Sequence, residues 1–301
     1  MAILIRRALV IANPASRRGK DLAERARRAL TDRSIETEIL FTERPGHAGE
    51  LAAAHASGYD AVFTLGGDGT VMEVAGALAG TDVRIGVLAG GTGNLLARAL
   101  GIPLTVDHAV ASLVGGGESR IDIGRFDSGR RFAIAAGVGI DAAMVAETPG
   151  WLKRRLGVLA YAIIATKAAI RAVLKREFFE ARVTVDGSTE TRHAAAVMIA
   201  NFGAVLGNRI TLGPGIRTDD GLLDACVFSP SGIVDAIRIM WRLLRGNFQS
   251  DPCMLYRSGR DIRVETIPAL SWQADGEMMG TTPFHVVVEP LAVRLLVPSR
   301  G

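Results

Sequence analysis

Aromatic residues make up only 5% of this 301-residue chain, with three tryptophans and three tyrosines. So few large rings, beside an abundance of alanine and glycine, suit close packing of helices on a sheet. Cysteine is almost absent. Cys226 and Cys253 are the only two, with no metal-type spacing, so the chain reads as a cytosolic protein with free thiols rather than a disulfide scaffold. Long hydrophobic runs are missing as well. The longest uncharged stretch near the middle, Leu156 to Thr166, falls well short of the ~20 residues that span a bilayer. The N-terminal apolar stretch is short and is interrupted by Arg6-Arg7, which excludes a signal peptide. The five histidines are scattered, and none is assigned to metal or catalysis. No internal repeat or low-complexity linker is present.

What is present is a large apolar fraction, 49%, with mean hydropathy +0.25. Disorder is thereby excluded, and the length suffices for two domains with real cores. Net charge is +4 and the pI about 9.4. Much of the excess lies in Arg17, Arg18, Lys20, Arg25, Arg27 and Arg28. A basic surface can meet nucleotide phosphates or an anionic membrane. Nothing resembles a helix-turn-helix or an RNA-binding signature, so no nucleic-acid partner is expected.

Residues 1 to about 125 alternate strand and helix patterns: strands at Arg7 to Ala12, Glu36 to Phe41, Ala61 to Leu65 and Arg84 to Leu88, helices at Asp21 to Leu30, Ala48 to Ser57 and from Val71. This rhythm predicts an α/β domain with a parallel sheet, whose ligands bind outside the carboxyl ends of the strands. From 126 to 301 the texture changes to short alternating runs: Arg131 to Ala136, Ala181 to Val185, Ala194 to Ala200, Leu222 to Phe228, Asp261 to Glu265, Ser271 to Ala274 and His285 to Glu289. The expectation is a mainly antiparallel β-sandwich, with the last residues packing back on the first domain. Helical stretches at Trp151 to Arg176 and Gly232 to Arg245 interrupt it. The former, with Lys153, Arg154, Arg155, Lys167, Arg171, Lys175 and Arg176, reads either as a core helix with basic ends or as a segment resting on an anionic membrane.

Three loops sit at strand ends. The most informative is Gly66-Gly67-Asp68-Gly69-Thr70, since glycines let backbone N–H groups approach phosphate at a helix N-terminus. Asp68 would repel a bare phosphate; a carboxylate there suggests magnesium or a hydroxyl to be deprotonated. The second loop is Gly90-Gly91-Thr92-Gly93-Asn94, where Thr92 can donate to phosphate and Asn94 can cap the next helix or bind nucleotide. The third, Asn13-Pro14-Ala15-Ser16-Arg17-Arg18-Gly19, reads as a nucleotide contact or as a helix cap beside a solvated charge run. In the second half, Ala274-Asp275-Gly276-Glu277 is a hairpin turn that also offers two carboxylates. Arg217-Thr218-Asp219-Asp220-Gly221-Leu222 is either another turn or a hard-cation loop.

Taken together and in this order, Asn13-Pro14-x-Ser16, Gly66 to Thr70, Gly91-Thr92-Gly93-Asn94 with Leu96-Ala97-Arg98-Ala99-Leu100, Asp219 to Leu222 and Asp275-Gly276-Glu277 resemble the diacylglycerol kinase catalytic-domain family, specifically its soluble bacterial lipid kinases. The resemblance runs over nearly the whole chain. It implies a nucleotide-binding α/β domain like that of NAD kinases, a β-sandwich-like lipid-substrate domain, and ATP in the cleft. By matching motifs, Asn13, Pro14, Ser16, Thr42, Gly66, Gly67, Asp68, Gly69, Thr70, Val71, Met72, Thr92 and Asn94 look like the ATP site. The carbonyls of Arg217 and Leu222, with Asp220, look like a structural Mg²⁺ site, and Asp122 like an acid tied to a magnesium–water network. Asp275 and Glu277 look like the catalytic pair; in related sphingosine and NAD kinases the acid matching Asp68 resembles the base instead.

Two positions depart from the family pattern. Leu95 stands where many bacterial members carry Asp, and Met72 where Asn is common. Both weaken the case for diacylglycerol as the particular lipid and leave the phosphoryl-transfer residues untouched. The resemblance implies an ATP- and Mg-dependent kinase converting diacylglycerol to phosphatidic acid, cytoplasmic and peripherally attached to an anionic membrane, with a homodimer left open. Its rivals are a sphingoid or other lipid kinase, an NAD kinase, and a catalytically silent lipid-binding protein.

Overall fold

Four short runs near the N-terminus become parallel strands; three are apolar and largely buried, as strands flanked by helices are, and Glu36–Phe41 joins them as an edge. In the computed structural model they are β1 (Arg7–Ala12), β2 (Glu36–Phe41), β3 (Ala61–Gly66) and β4 (Arg84–Ala89). The structure describes residues 4–14, 19–139, 171, 174, 178–205, 210–248 and 251–299. The chain divides into two compact units, Met1–Ile121 with Leu291–Gly301, and Asp122–Pro290.

In the first unit the strands lie in the order β2-β1-β3-β4, all parallel. Arg294 and Leu295, near the end of the chain, extend the sheet in parallel beside β4. Between the strands run α1 (Gly19–Thr31), α2 (His47–His55), α3 (Asp68–Ala77), α4 (Leu95–Ala99) and α5 (Val106–Val114). β3 is buried throughout, whereas β2 lies at the edge with no fully buried residue. The order 2-1-3-4 places the switch in winding direction between β1 and β3, where doubly wound sheets open a crevice at their carboxyl ends. Hydrogen bonds carry the sheet just past those ends: the N–H groups of Asn13, Thr42 and Gly90 donate to Leu65, Ala12 and Gly66 at 2.9 Å each.

The second unit contains two large antiparallel sheets and one two-stranded antiparallel ribbon. Its strands are β5 (Gly117–Phe126, from Asp122 onward), β6 (Arg131–Phe132), β7 (Ala135–Gly139), β8 (Phe179–Val185), β9 (Ser188–Ala194), β10 (Ala196–Ala200), β11 (Ala204–Val205), β12 (Ile210–Thr211), β13 (Leu223–Phe228), β14 (Met254–Gly259), β15 (Asp261–Ile267), β16 (Ser271–Ala274), β17 (Glu277–Thr281) and β18 (Phe284–Val297). One sheet runs β14-β13-β10-β7-β16-β17. The other is built on β9, β8, β15 and the first half of β18. Side chains from both, among them Phe132, Val183, Ile199, Val227 and Val286, form one sandwich core. The scarce aromatics are concentrated there: Trp272 stacks on Phe284 with centroids 4.4 Å apart, and Phe126 lies 4.7 Å from Trp272 and 5.2 Å from Phe132. Helix α6 (Ile233–Arg245) covers the back of the first sheet, setting Ala236, Ile239 and Leu243 into a cluster with Ala196, Cys226 and Phe228. It ends at Gly246, whose positive φ of 61° makes a left-handed cap.

The α/β unit and the antiparallel sandwich are the expected fold class. Particular elements differ from expectation. The helix after β3 begins at Asp68 rather than Val71, so Gly69 and Thr70 belong to its first turn. The run Arg131 to Ala136 is not one strand: it breaks at Ala133 and Ile134, whose N–H groups bond to the Asp275 carboxylate instead of a neighbouring strand. β9 is polar along almost its whole length and was unanticipated; it returns from β8 through the tight turn at Asp186-Gly187, both with positive φ. The Trp151 to Arg176 segment falls almost wholly outside the described residues.

His285 on β18 ties two elements together, with Nδ1 2.8 Å from Asp127 and Nε2 3.0 Å from Asp261. Burial pulls its pKa down, and the hydrogen bonds to the two aspartates outweigh this, so the value lies above the ordinary ~6.5. A histidine whose folded value is raised stabilises the fold fully below its unfolded pKa and loses that contribution as pH rises through the folded one. The unfolding midpoint should therefore fall from about pH 6.5 upward. His285→Gln should flatten that slope; an unchanged midpoint-against-pH curve in the variant would refute the assignment.

Candidate active site

The glycine loops after β3 and β4 meet backbone to backbone. A Cβ on Gly91 would come within 2.5 Å of the Gly67 α-carbon, and one on Gly90 within 3.0 Å of the Gly66 nitrogen. No side chain fits between them, which is the physical reason both loops are glycine-rich. Asp68 lies at this junction. Its Oδ1 accepts from the N–H groups of Leu95 (2.6 Å) and Leu96 (3.3 Å), capping the start of α4 from another loop. Its Oδ2 lies against Gly93, where a Cβ would come within 2.8 Å.

Asn94 was expected to cap α4 or meet nucleotide. In the structure it is left-handed (φ 48°) and makes no side-chain cap. Its side chain closes the loop on itself, Oδ1 accepting from Gly91 N–H at 3.0 Å and Nδ2 donating to Gly91 C=O at 2.9 Å. The imported cap was not legible in the sequence, because a residue twenty-seven positions away supplies it. Glu73 of α3 acts likewise on α2: its oxygens accept from Gly46 N–H (2.8 Å) and Ala48 N–H (3.1 Å), where Gly46 has no side chain to offer.

Burial pushes the Asp68 carboxyl above the usual carboxylate range, and amides at Leu96, Leu95, Asp68 and Asn94 pull part of that back. The compensation comes from backbone rather than from Lys or Arg. A carboxylate in such a place is suited to a divalent cation, which would supply the missing positive charge.

At the same carboxyl ends the first unit gathers Asn13 after β1, Thr42 after β2, Gly66 to Met72 after β3, and Thr92 and Asn94 after β4. Thr42, Thr70 and Val71 are buried, while Thr92 is exposed. Pro14 follows Asn13 and is half-buried; Ser16 lies outside the described residues.

The second unit gathers a different set. Asp122, fully buried, accepts from Gly221 N–H at 2.7 Å and donates its own N–H to Thr218 C=O at 2.6 Å. It therefore holds the 217–222 loop directly. Asp220 accepts from Leu222 N–H at 3.1 Å. Among the described residues no three His, Cys, Asp or Glu side chains cluster as a metal site. A cation here would rest on the Arg217 and Leu222 carbonyls and Asp220, an all-oxygen set that fits a hard ion such as Mg²⁺.

Asp275 and Gly276 form the two-residue turn between β16 and β17, with φ of 47° and 86°. The turn has a second job. The Asp275 carboxylate accepts from three successive amides, Ala133 (2.7 Å), Ile134 (2.9 Å) and Ala135 (3.1 Å). Glu277 is exposed and pairs with Arg130 at 2.8 Å. The two acids of one turn thus have opposite surroundings.

Comparison with known proteins follows the same division. The family model for the diacylglycerol kinase catalytic domain matches residues 7–126. The model for the YegS C-terminal NAD kinase beta sandwich-like domain matches residues 133–297. A diacylglycerol kinase of Staphylococcus aureus is 29% identical over 92% of this chain and 88% of its own length. An uncharacterized Synechocystis protein is 33% identical over 79% of this chain, which spans only about half (54%) of that relative. A crystal structure of a diacylglycerol kinase from Bacillus anthracis superposes with a TM-score of 0.73 at 22% identity, covering 97% of both chains. An NAD kinase from Archaeoglobus fulgidus, in complex with ATP, gives 0.52 at 13% identity over 97% of this chain and 94% of the other. At these identities the likeness to the solved structures is one of fold.

Removing the Asp275 carboxylate orphans three amides. Asp275→Ala is expected to lower stability by about 3 kcal/mol, and Asp68→Ala, which uncaps α4, by about 1 kcal/mol, both read from urea midpoints. A loss under 1 kcal/mol in Asp275→Ala would contradict its role as the anchor of residues 133–135.

Proposed function

Because this chain belongs to the diacylglycerol kinase catalytic-domain family, we propose that it is an ATP- and Mg²⁺-dependent lipid kinase that phosphorylates a lipid hydroxyl, diacylglycerol first among the candidates. The observation that carries this reading is Asp68: a carboxylate compensated, among the described residues, by amides, at the junction of two glycine loops, on the carboxyl ends of a parallel sheet. The N–H groups of Gly66 to Thr70 and of the Gly90 to Asn94 loop are assigned to the ATP phosphates, with Asn13, Pro14, Ser16, Thr42, Val71 and Met72 completing the nucleotide contacts. Asp68 would hold one Mg²⁺, and the Arg217 and Leu222 carbonyls with Asp220 a second, structural one. Bound there, the ion at Asp68 offsets phosphate charge.

For the acceptor's proton, the surroundings favour Glu277 over Asp275. Asp275 is engaged by three amides that occupy both of its oxygens and hold it against the backbone. Glu277 is open to water and held by Arg130, an ion pair of small strength that can exchange partners. In the reaction the hydroxyl oxygen attacks the γ-phosphorus, the hydroxyl proton passes to Glu277, and ADP departs carrying the electrons of the broken bond. Little covalent chemistry falls to the protein; positioning and charge compensation carry the rate. A lipid acceptor also places the protein at a membrane surface as a peripheral visitor, since no helix among the described residues is long and apolar enough to cross a membrane.

The test is transfer of labelled γ-phosphate from ATP, with Mg²⁺, to micellar diacylglycerol, monoacylglycerol, sphingosine, ceramide and phosphatidylglycerol, with NAD alongside. Label in a lipid is expected; label in NAD alone would move the activity to NAD kinase, and no label with no ATP binding to a silent lipid binder. Asp68→Asn should keep the fold, since its amide oxygen still accepts from Leu95 and Leu96, while turnover falls at least about a hundredfold. Full turnover in that variant would sink the assignment of Asp68.

A further inference from the structure

Helix α6 is apolar on two sides. Ala236, Ile239 and Leu243 face the core. On the opposite side Val234, Ile237, Trp241 and Leu244 stand in water at steps of three, four and three, a continuous stripe along the helix. Val234 is 76% exposed, Ile237 50% and Trp241 55%. Single exposed apolar residues are ordinary, but an aligned row is not.

Arginines flank this stripe, and two of them, Arg238 and Arg242, are paired with acids. At 100° per residue, Arg245, Arg238 and Arg242 follow one another along its edge. The Arg245 guanidinium lies over the Trp241 ring, 4.1 Å from its centroid. The acids nearby are turned inward. Asp251, with its side chain 3% exposed, binds Arg238 and Arg242, and Asp235 accepts from Arg238 and from Ser231 N–H. An apolar stripe with an amphipathic tryptophan, edged by arginines whose stems can lie along apolar surface, is the arrangement of a helix lying in a bilayer interface.

We infer that the outer face of α6 is a docking surface for an anionic lipid bilayer. Its size argues for lipid rather than a second copy of the chain. Four side chains on one helix are few beside the ~800 Å² per partner of a stable protein interface, whereas a bilayer accepts a single stripe and rewards Arg245 at its edge. The net charge of +4 acts in the same direction. The inner face is already packed, so docking requires no refolding. The inference extends the lipid-kinase reading and is tested without phosphoryl transfer, so that the two can fail separately.

The experiment is flotation of the full chain with vesicles of phosphatidylcholine alone and of phosphatidylcholine with phosphatidylglycerol. Binding is expected to favour the anionic vesicles and to weaken with salt. Ile237→Ser with Trp241→Ser should cut it at least tenfold. Arg245→Gln should remove most of the preference for phosphatidylglycerol. Both variants replace outward groups, and should keep the wild-type circular dichroism and the wild-type rate on a short-chain acceptor dissolved in water. A double variant that floats like wild type overturns the inference. So does a wild type that is dimeric by light scattering while the double variant is monomeric, because the stripe is then a protein interface. A wild type that floats but transfers no phosphate overturns the kinase reading and leaves the docking surface standing.

Discussion

The approach of two loops with no side chain between them is the constraint on which the first unit's chemistry depends. Gly67 and Gly91 stand closer than any Cβ would allow. That closeness brings Asp68 within reach of the first amides of α4, and the resulting bonds fix the second loop to the first. The sheet order supplies the location, because β3 and β4 are parallel neighbours whose ends lie side by side. The Asn94 side chain then stiffens the second loop from within. Glycine is needed for contact, aspartate for the cap and asparagine for a left-handed corner. These requirements are structural, yet they yield what a polyphosphate needs: amides freed from side chains, held in a fixed array beside a carboxylate short of positive charge.

The second unit uses one carboxylate in a comparable way. Asp275 sits at a two-residue turn, and its three amide bonds interrupt the run between β6 and β7. A strand is thereby broken by a side chain rather than by proline or glycine. Asp122 performs a similar service for the 217–222 loop. In both cases an acid, Asp122 fully and Asp275 partly buried, satisfies backbone groups that no ladder reaches, which is the common solution for irregular backbone inside a protein.

What the sequence revealed follows from the range of the forces involved. Arg7–Ala12 and Glu36–Phe41 were legible to the residue because their own composition drives them into strands. The parallel order and the loops at strand ends followed from the alternation of elements. β9 was not legible, since Ser188–Ala194 carries no apolar alternation and takes its ladder from β8. The start of α3 was misread because Gly69 and Thr70 are poor helix formers, and the tertiary setting overrides propensity. The caps given by Asp68 and Glu73 were invisible for a similar reason: a local pattern cannot report a donor's partner in a distant loop. Asp275-Gly276-Glu277 was visible as a turn and as two acids, but only the surrounding amides separate their fates.

That separation bears on how a compact motif comes to serve two purposes. The Asp275 carboxylate accepts three amide bonds and is fixed in place by them. Glu277, two residues on, stands in water beside Arg130 and can exchange that partner. The tight turn makes the difference, because positive φ at Asp275 and Gly276 aims the first acid inward and starts β17 with the second acid outside. Anchoring thus falls to the first of two neighbours on one turn, and its rigidity limits where the second can stand. A similar arrangement holds at the glycine loops, where Asp68 spends one oxygen on α4 and keeps the other against Gly93. In each unit a structural bond determines the direction in which the remaining chemistry points.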